Sequence, residues 1–204
     1  MSTKTLEFWF EFASSYSYLS MMRIEPLARD AGVTLTWRPF LLGPVFLSLG
    51  WNDSPFNIYP PKGRYMWRDL ARLAERYELP LRVPSHFPRN GLLAARVALA
   101  GTDEAWMPDF CRAVMSANFA KDEDIAETAV IRRILEDLAL PADDILKRAQ
   151  GAENKLALRQ QTKRAAEIGL FGAPSFITPD GELFWGNDRL EDALDWVKTH
   201  AAPG

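Results

Sequence analysis

The chain of 204 residues is poor in cysteine and contains only one, Cys111. An intramolecular disulfide is therefore impossible, and a dithiol oxidoreductase is disfavoured because Cys111 has no partner thiol. The helical pattern around it, DFCRAVM, predicts that Cys111 packs in the core. The N-terminus also lacks the long apolar stretch and small-residue cleavage site of a signal peptide, so we expect a reduced, cytoplasmic protein.

The sequence also lacks the usual marks of membrane, nucleic-acid and metal-binding proteins. No apolar run approaches the ~20 residues that span a bilayer, and a formal net charge of -3 provides no attraction for nucleic acid. His86 and His200 stand apart from each other and from any cluster with metal-ligand spacing. We therefore expect no metal site, no nucleic-acid partner and no association with a membrane.

What the chain does contain is strand-like and helical segments in a definite order. Residues 5–12, TLEFWFEF, predict a strand, residues 16–31 predict a helix that ends at Gly32, and residues 33–40 predict a second strand. This order is typical of a βαβ unit with parallel strands. Near the C-terminus, PSFITP and ELFWG predict a hairpin, and DRLEDALDWVKTH predicts a closing helix.

The middle of the chain is predicted to be helical after a long irregular connection. Residues 43–61 hold four prolines and two glycines, while their aromatic residues argue against disorder. The segments from 62 to about 150 carry helical periodicity, and a further helix is predicted over 152–169. Four arginines spaced by four residues favour a solvated helix face over an anion-binding patch: Arg64, Arg68, Arg72 and Arg76.

The stretch EFWFEFASSYSYLS raises a functional question at the first strand-to-helix turn. Ser14 and Ser17 occupy the spacing at which thiol enzymes that open this way often carry C-x-x-C. Taken locally, Ser14 is an N-cap serine, and Pro174 in FGAPSF is a trans proline that marks a strand start. Asn187 and Asp188 are likewise expected to cap the last helix.

The order of these segments resembles the thioredoxin-like fold with an inserted α-helical domain. Over nearly its whole length the chain is similar to the 2-hydroxychromene-2-carboxylate isomerase family and its relatives, the kappa-class glutathione transferases. The resemblance is carried by FEFASSYSYLS, WRPFLLGPVF, GWNDSPFN, PPKGRYMWRDL, FGAPSF and FWGNDRL. It implies the α/β class, with residues 1–45 and 170–204 forming a thioredoxin-like domain and residues 46–169 forming an inserted all-α domain.

The resemblance also implies a glutathione-binding site at this turn. In the family the first serine of the turn contacts the glutathione sulfur, and that position is Ser14, with Ser15 and Tyr16 beside it. Family members usually carry proline where this chain has Ser15, a departure that we expect to loosen the turn. The other implied contacts lie in later segments: Asn52 with its neighbour Asp53, Lys62, Ala173 before the cis-proline Pro174, and Asn187 with Asp188.

The implied activity is a glutathione-dependent isomerase that acts on flat aromatic acids by reversible thiolate addition. A helix N-terminus favours a thiolate by about 0.3–2 kcal/mol, and a hydrogen bond from Ser14 adds about 1.5–3 kcal/mol. Together these terms would ionise much of a bound thiol near neutral pH. An apolar wall for the aromatic ring is expected from four residues: Trp51, Phe56, Tyr59 and Trp67.

Two alternatives stay open at this point. The first is a kappa-type glutathione transferase, which would use the same thiolate and consume it in a stable conjugate. The second is a redox-inactive thioredoxin-like binding protein, in which Ser14 has no chemistry. The resemblance further implies a homodimer, with glutathione and a small aromatic substrate as ligands.

Overall fold

The fold is organised by a mixed sheet of four strands, seen in a computed structural model that describes residues 4–200. The strand order is β2-β1-β3-β4, with β1 parallel to β2 and antiparallel to β3, and with β3 antiparallel to β4. Phe8 at the centre of the sheet faces Trp37 on one neighbour and Phe176 on the other. The strands are β1 (Thr5–Phe10), β2 (Thr34–Pro39), β3 (Ser175–Ile177) and β4 (Leu183–Trp185).

Ten α-helices surround and follow this sheet within the described residues. A short 3₁₀ helix, Asn187–Arg189, precedes the last of them. The α-helices are α1 (Ser15–Ala31), α2 (Leu42–Ser48), α3 (Pro55–Ile58), α4 (Pro60–Arg76), α5 (Leu92–Ala100), α6 (Met107–Phe119), α7 (Thr128–Asp137), α8 (Ala142–Ala149), α9 (Ala152–Glu167) and α10 (Leu190–Thr199). None of them is long and apolar enough to cross a membrane.

Helix α1 begins and ends where its sequence predicts. Ser14 is the N-cap residue, and its hydroxyl accepts a hydrogen bond from the N–H of Ser17. Gly32 adopts the left-handed conformation with φ of 66°, and its N–H bonds to carbonyls of the last turn. The buried face, which includes Tyr18 and Ile24, packs α1 into the main core and thereby fixes the turn that carries Ser14.

The connection over residues 43–61 is not irregular throughout, and that prediction was wrong. It contains most of α2 and all of α3. Pro44 lies in the first turn of α2 and Pro55 is the first residue of α3, so neither proline removes a hydrogen bond that its helix needs. Prolines that suggest an irregular loop therefore mark helix starts in this segment.

Two local predictions about the C-terminal part were also wrong. The Ala173–Pro174 peptide bond is cis, as the family resemblance implies and contrary to the local expectation. Helix α10 is not capped by Asn187 or Asp188, because its N-cap position is Arg189 and no side chain accepts a capping hydrogen bond there. The chain makes a 3₁₀ turn first, and Asn187 is turned inward.

The main hydrophobic core runs without a break from the sheet into the helical block. Phe8 stacks on Phe176 with ring centroids 5.5 Å apart, and the same cluster of buried residues includes Met66 of α4 and Ile131 of α7. Cys111 is fully buried in this core, which confirms its predicted packing. The boundaries between a thioredoxin-like and a helical domain stay a prediction.

Candidate functional site

The Ser14 turn lies directly against the segment that contains the cis-proline. The Ser14 hydroxyl donates a hydrogen bond of 2.8 Å to the carbonyl of Ala173 and accepts one of 3.2 Å from the Ser17 N–H. The Ser14 side chain therefore links the first turn of α1 to the residue before Pro174. Two parts of the chain that were predicted to share a site are thus in contact.

The N-terminus of α1 is electropositive and its charge is not offset nearby on the same helix. The first turn of α1 contains no acidic residue, so the partial positive charge of the helix end stays available to an anion. Ser15 is buried, and its hydroxyl lies 3.2 Å from the sulfur of Met66 on α4. Ser17 is fully buried, and within the described residues its hydroxyl oxygen has no hydrogen-bond partner.

Tyr16 projects from the same turn toward α4. Its hydroxyl donates a hydrogen bond of 2.9 Å to Asp69, and its ring centroid lies 6.3 Å from that of Phe56. Burial, reinforced by the hydrogen bond to Asp69, raises the pKa of Tyr16 above its ordinary value, so the phenol stays neutral. Lys62 also lies near Phe56, with Nζ 5.8 Å from the ring centroid.

The cis-proline segment is held on both sides by hydrogen bonds. Gly186 N–H donates to the Pro174 carbonyl at 3.0 Å, and the Ser175 hydroxyl donates to the Gly172 carbonyl at 2.9 Å. Within residues 4–200 the N–H of Ala173 makes no hydrogen bond. This peptide therefore offers a free donor beside the carbonyl that Ser14 contacts.

Asn187 is held against α1 by its amide oxygen, while its amide nitrogen makes no hydrogen bond within the described residues. The side chain is 2% exposed, and its Oδ1 accepts hydrogen bonds from Ser20 and Arg23 at 3.1 and 3.2 Å. Because a guanidinium only donates, the oxygen of the amide must face Arg23. The Nδ2 group is then left as a buried donor without a partner among the described residues.

Asp188 differs from its neighbour because it is open to solvent. Its side chain is 74% exposed and lies 3.7 Å from Arg189. The negative charge of Asp188 makes the smallest contribution to the raised pKa of Tyr16. Helix α1 and the turn before it therefore contact or contain six of the ten predicted residues: Ser14, Ser15, Tyr16, Ala173, Pro174 and Asn187.

The remaining predicted contacts are not tied to the Ser14 turn in the same way. Asn52 is exposed and its side chain makes no hydrogen bond within the described part of the chain. Asp53 accepts hydrogen bonds from Ser54 N–H and from Asn57, so its carboxylate serves the α2–α3 loop itself. Lys62 is connected to the Ser14 turn indirectly, because its ammonium group lies near Phe56, which in turn lies beside Tyr16.

The four aromatic residues predicted to form one wall are divided among different contacts. Trp51 packs against Phe46 with ring centroids 5.6 Å apart, and Trp67 packs against Phe87 at 5.0 Å. Tyr59 is 52% exposed. Of the four, only Phe56 has a ring neighbour on the Ser14 turn, which is Tyr16.

Two residues of this region were not identified from the sequence. Glu11 is a buried carboxyl three residues before Ser14, and Arg23 orients the amide of Asn187. The signal for Glu11 was a charged residue between two phenylalanines at the end of an aromatic strand. Arg23 gave no such signal, because arginine on a helix is ordinary.

The sheet, the helices and a serine turn facing a cis-proline define a thioredoxin-like domain of the DsbA type. The family model described as "DSBA-like thioredoxin domain" matches residues 5–198. A 2-hydroxychromene-2-carboxylate isomerase of Sphingobium xenophagum is 32% identical over 190 residues, which span 93% of this chain and 95% of that protein. The chain therefore belongs to the family of 2-hydroxychromene-2-carboxylate isomerases, with the kappa-class glutathione transferases as relatives.

Two further similarities agree with this membership. Glutathione S-transferase kappa 2 of Caenorhabditis elegans is 27% identical and spans 95% of this chain and 92% of that protein. A solved 2-hydroxychromene-2-carboxylate isomerase superposes with a TM-score of 0.81 at 27% identity, and the match covers 91% of this chain and 90% of that one. The predicted fold class and the predicted isomerase family are thus confirmed, while the roles of individual residues stay predictions.

Proposed function

We propose that this chain is a glutathione-dependent isomerase of aromatic acids of the 2-hydroxychromene-2-carboxylate type. The observation that carries the proposal is the 2.8 Å hydrogen bond between the Ser14 hydroxyl and the Ala173 carbonyl. It joins the positive end of α1 to the peptide before the cis-proline. These are the two elements expected to receive the cysteinyl part of glutathione.

The unused hydrogen-bonding groups of this region fit such a ligand. Glutathione brings carboxylates, amide carbonyls and a sulfur, all of which accept hydrogen bonds. The region offers the unpaired donors that these groups need, namely the Ala173 N–H, the buried Nδ2 of Asn187 and the first N–H groups of α1. We propose that Asn187 and Asp188 hold the γ-glutamyl end, with Asn187 binding its carboxylate and Asp188 its ammonium group.

The role proposed for Ser14 is to donate its proton to an anionic sulfur. The hydroxyl has one proton, which the Ala173 carbonyl receives in the absence of ligand. Rotation of the hydroxyl about its Cβ–Oγ bond leaves the oxygen in place as the cap and redirects the proton. It exchanges one net hydrogen bond worth about 0.5–1.5 kcal/mol for a charge-assisted bond worth about 1.5–3 kcal/mol. The exchange favours the anionic form of the bound sulfur, and the end of α1 adds about 0.3–2 kcal/mol.

Bound glutathione would supply the thiolate that adds reversibly to a conjugated double bond of the substrate and allows it to rotate. The chain's own contribution is to orient the acid and to stabilise negative charge on it. We propose that Tyr16 and Phe56 form one side of the aromatic pocket, since Tyr16 keeps its proton and its ring lies beside Phe56. Lys62, near Phe56, would attract the substrate's carboxylate.

Three further residues are included in the proposed glutathione site because they match the family pattern. Asn52 has a free, exposed amide for the outer part of the peptide. Asp53 already accepts hydrogen bonds within its loop, so we propose that it orders the loop that carries Asn52. Ser15, buried against Met66, is proposed to hold the turn.

A kappa-type glutathione transferase is the second candidate, favoured by the kappa relatives that align over more than nine tenths of this chain. The two activities differ in stoichiometry. An isomerase turns over many substrate molecules for each glutathione, whereas a transferase consumes one glutathione for each product. Measuring free thiol through a reaction with limiting glutathione therefore separates them.

A cytoplasmic location and a homodimer are proposed on the family resemblance and on the lone, buried Cys111.

The proposal is tested by titrating glutathione into the purified protein, with binding heat and thiolate absorbance at about 240 nm as readouts. The wild-type protein is compared with Ser14→Ala and with the matched control Ser116→Ala, whose hydroxyl on α6 makes no hydrogen bond in the described chain. We expect thiolate absorbance on binding to wild type and Ser116→Ala, and a much smaller signal with Ser14→Ala. Absence of both heat and absorbance in the wild type would contradict the proposal, and an unchanged Ser14→Ala would favour a binding protein without this chemistry.

A further inference from the structure

A buried carboxyl group lies behind the turn that carries Ser14. Glu11 is 8% exposed, and none of the ion pairs in the described residues involves it. A carboxylate in such a place would be costly, because burial removes its hydration and no cation replaces it. Burial accordingly raises the pKa of Glu11 to about 8, against a smaller opposing effect of the hydrogen bond from Ala13.

Glu11 holds the turn with both its side chain and its backbone. Oε2 accepts a hydrogen bond of 2.9 Å from the Ala13 N–H, and the Glu11 carbonyl accepts one of 3.0 Å from the Ser14 N–H. Two successive N–H groups before α1 are therefore fixed by one residue. Any movement of the Glu11 side chain would be transmitted to the backbone that sets the position of Ser14.

The facing segment is shaped to leave room for this carboxyl group. Gly91 lies so close that a Cβ added to it would come within 3.0 Å of Glu11 Oε1 and of Phe12 Cβ. Such a distance is tighter than most contacts of a real Cβ, so a side chain at this position would require the carboxyl group or Phe12 to shift by a few tenths of an ångström. The backbone of Gly91 is at φ of -87°, which other residues adopt easily, and the glycine is therefore required for space rather than for its conformation.

The charged groups on the elements around Glu11 are already committed to other partners. Arg89, two residues before Gly91, donates to Asn118 and to the Glu123 carbonyl and is paired with Asp122. Its guanidinium therefore belongs to the connection between α6 and α7.

On β1 and α1 the ionisable neighbours are likewise engaged away from Glu11. Glu7 is paired with Arg38 on β2, at 2.8 Å. Tyr16 keeps its proton and donates it to Asp69. Among residues 4–200 no charged partner is therefore found for an ionised Glu11.

We propose that Glu11 is a positioning residue whose uncharged carboxylic acid braces the Ser14 turn, and whose ionisation at alkaline pH weakens binding of an anionic sulfur at Ser14. A neutral acid leaves the positive end of α1 free to act on the ligand. An ionised Glu11 places a negative charge behind the same turn, in a medium that screens it poorly. The part of this proposal that concerns sulfur rests on the proposed binding of glutathione.

The test compares wild type, Glu11→Gln and the exposed control Glu153→Gln on α9, with glutathione and S-methylglutathione as probes. Glutamine keeps an acceptor for the Ala13 N–H but cannot ionise. Between about pH 7 and about pH 9 we expect the affinity of wild type for glutathione to fall about three- to tenfold relative to Glu11→Gln. S-methylglutathione has no thiolate, so the ratio of its affinities for wild type and Glu11→Gln is expected to stay constant with pH. Glu153→Gln is expected to bind glutathione as wild type does at each pH.

A second readout needs no ligand and keeps the two proposals distinguishable. The free energy of unfolding of wild type is expected to fall relative to that of Glu11→Gln as the pH rises from about 5 to about 8. Parallel stability curves, or equal pH dependence of glutathione binding in the two proteins, would overturn the role of Glu11. If the stability of wild type falls with pH as expected but the protein binds no glutathione, the proposed function is overturned. The role of uncharged Glu11 in holding the Ser14 turn is then still supported.

Discussion

The hydroxyl of Ser14 donates its only proton to the carbonyl of Ala173, 2.8 Å away and 159 positions along the chain. The same oxygen accepts the N–H of Ser17 and so caps α1. Ser14 is therefore both the N-cap of α1 and a hydrogen-bond donor, and we propose that a bound ligand takes the place of the Ala173 carbonyl as its acceptor. In a dithiol enzyme the sulfur at this position is part of the chain, whereas in this chain we propose that a bound ligand brings it.

The electropositive character of the Ser14 position can be measured without any ligand. In Ser14→Cys the introduced thiol stands at the end of a helix with no acidic residue in its first turn. We expect its pKa to lie about one to three units below the ordinary value near 8.5. The measurement is the pH dependence of the rate of alkylation by iodoacetamide. The buried Cys111, whose pKa is raised by burial, serves as the unreactive internal control. An introduced thiol with an ordinary pKa would contradict the account of the helix end.

Arg23 is expected to matter for ligand binding although it need not touch the ligand. It donates to Oδ1 of Asn187 and stacks 3.7 Å above the Tyr77 ring centroid. In Arg23→Met the amide is free to flip, so the Nδ2 donor is lost for part of the time. We expect the affinity for glutathione to fall about twofold, as for two equally populated orientations of the amide of which one binds.

Controls for the Arg23 prediction are available on the same chain. Arg159→Met on α9 removes an exposed arginine and is expected to change nothing. S-methylglutathione should lose affinity for Arg23→Met as glutathione does, because the proposed effect concerns the γ-glutamyl end and not the sulfur. Equal affinity of Arg23→Met and wild type would show that the amide of Asn187 takes no part in binding.

Replacing Ser15 by proline is expected to stabilise the protein slightly. Ser15 is the first residue of α1, where proline is favoured, and Ser14 has φ of -82° and ψ of 116°, which suits a residue before proline. Proline restricts the unfolded chain, which is expected to raise the free energy of unfolding by about 0.4–1 kcal/mol. Loss of the contact between Ser15 Oγ and Met66 opposes this gain. Ser15→Ala isolates that loss. The measurement is thermal unfolding, and Ser15→Pro falling below Ser15→Ala would contradict this reading of the turn.

Glu11 predicts how the stability of the protein depends on pH. Below about pH 3 the carboxyl group is protonated in both the folded and the unfolded chain. As the pH rises toward about 8, the unfolded chain loses the proton while folded Glu11 retains it, so the free energy of unfolding falls. The slope attributable to Glu11 is at most about 1.4 kcal/mol per pH unit. Urea unfolding of wild type and Glu11→Gln at several pH values measures it, and a difference that is constant with pH would contradict the assigned burial.

Much of the fold follows from local patterns in the sequence. The first strand was predicted over residues 5–12 and spans Thr5–Phe10. The helix between Ser14 and Gly32 and the second strand were also predicted, because periodicity and capping residues determine them locally. Helices α2 and α3 were missed because prolines in a helix's first turn look the same as prolines in a loop.

The site was only partly predictable, because its geometry depends on contacts between distant segments. The family resemblance identified Ser14 and Ala173, but their hydrogen bond is set by how α1 meets the cis-proline segment. The open donor on Asn187 exists because Arg23, 164 positions away, fixes the amide. The packing of Glu11 against Gly91 leaves little room for a side chain at that position. None of these three relationships is visible in a sequence pattern.

The central claim is that this chain supplies the charge environment and glutathione supplies the sulfur. Its most direct test is the NMR chemical shift of glutathione labelled with ¹³C at the cysteinyl Cβ, followed with pH in the complex. We expect the bound thiol to titrate at least about one unit below a free thiol, and part of that shift to disappear in Ser14→Ala. A bound thiol that titrates at or above the free value would contradict the account.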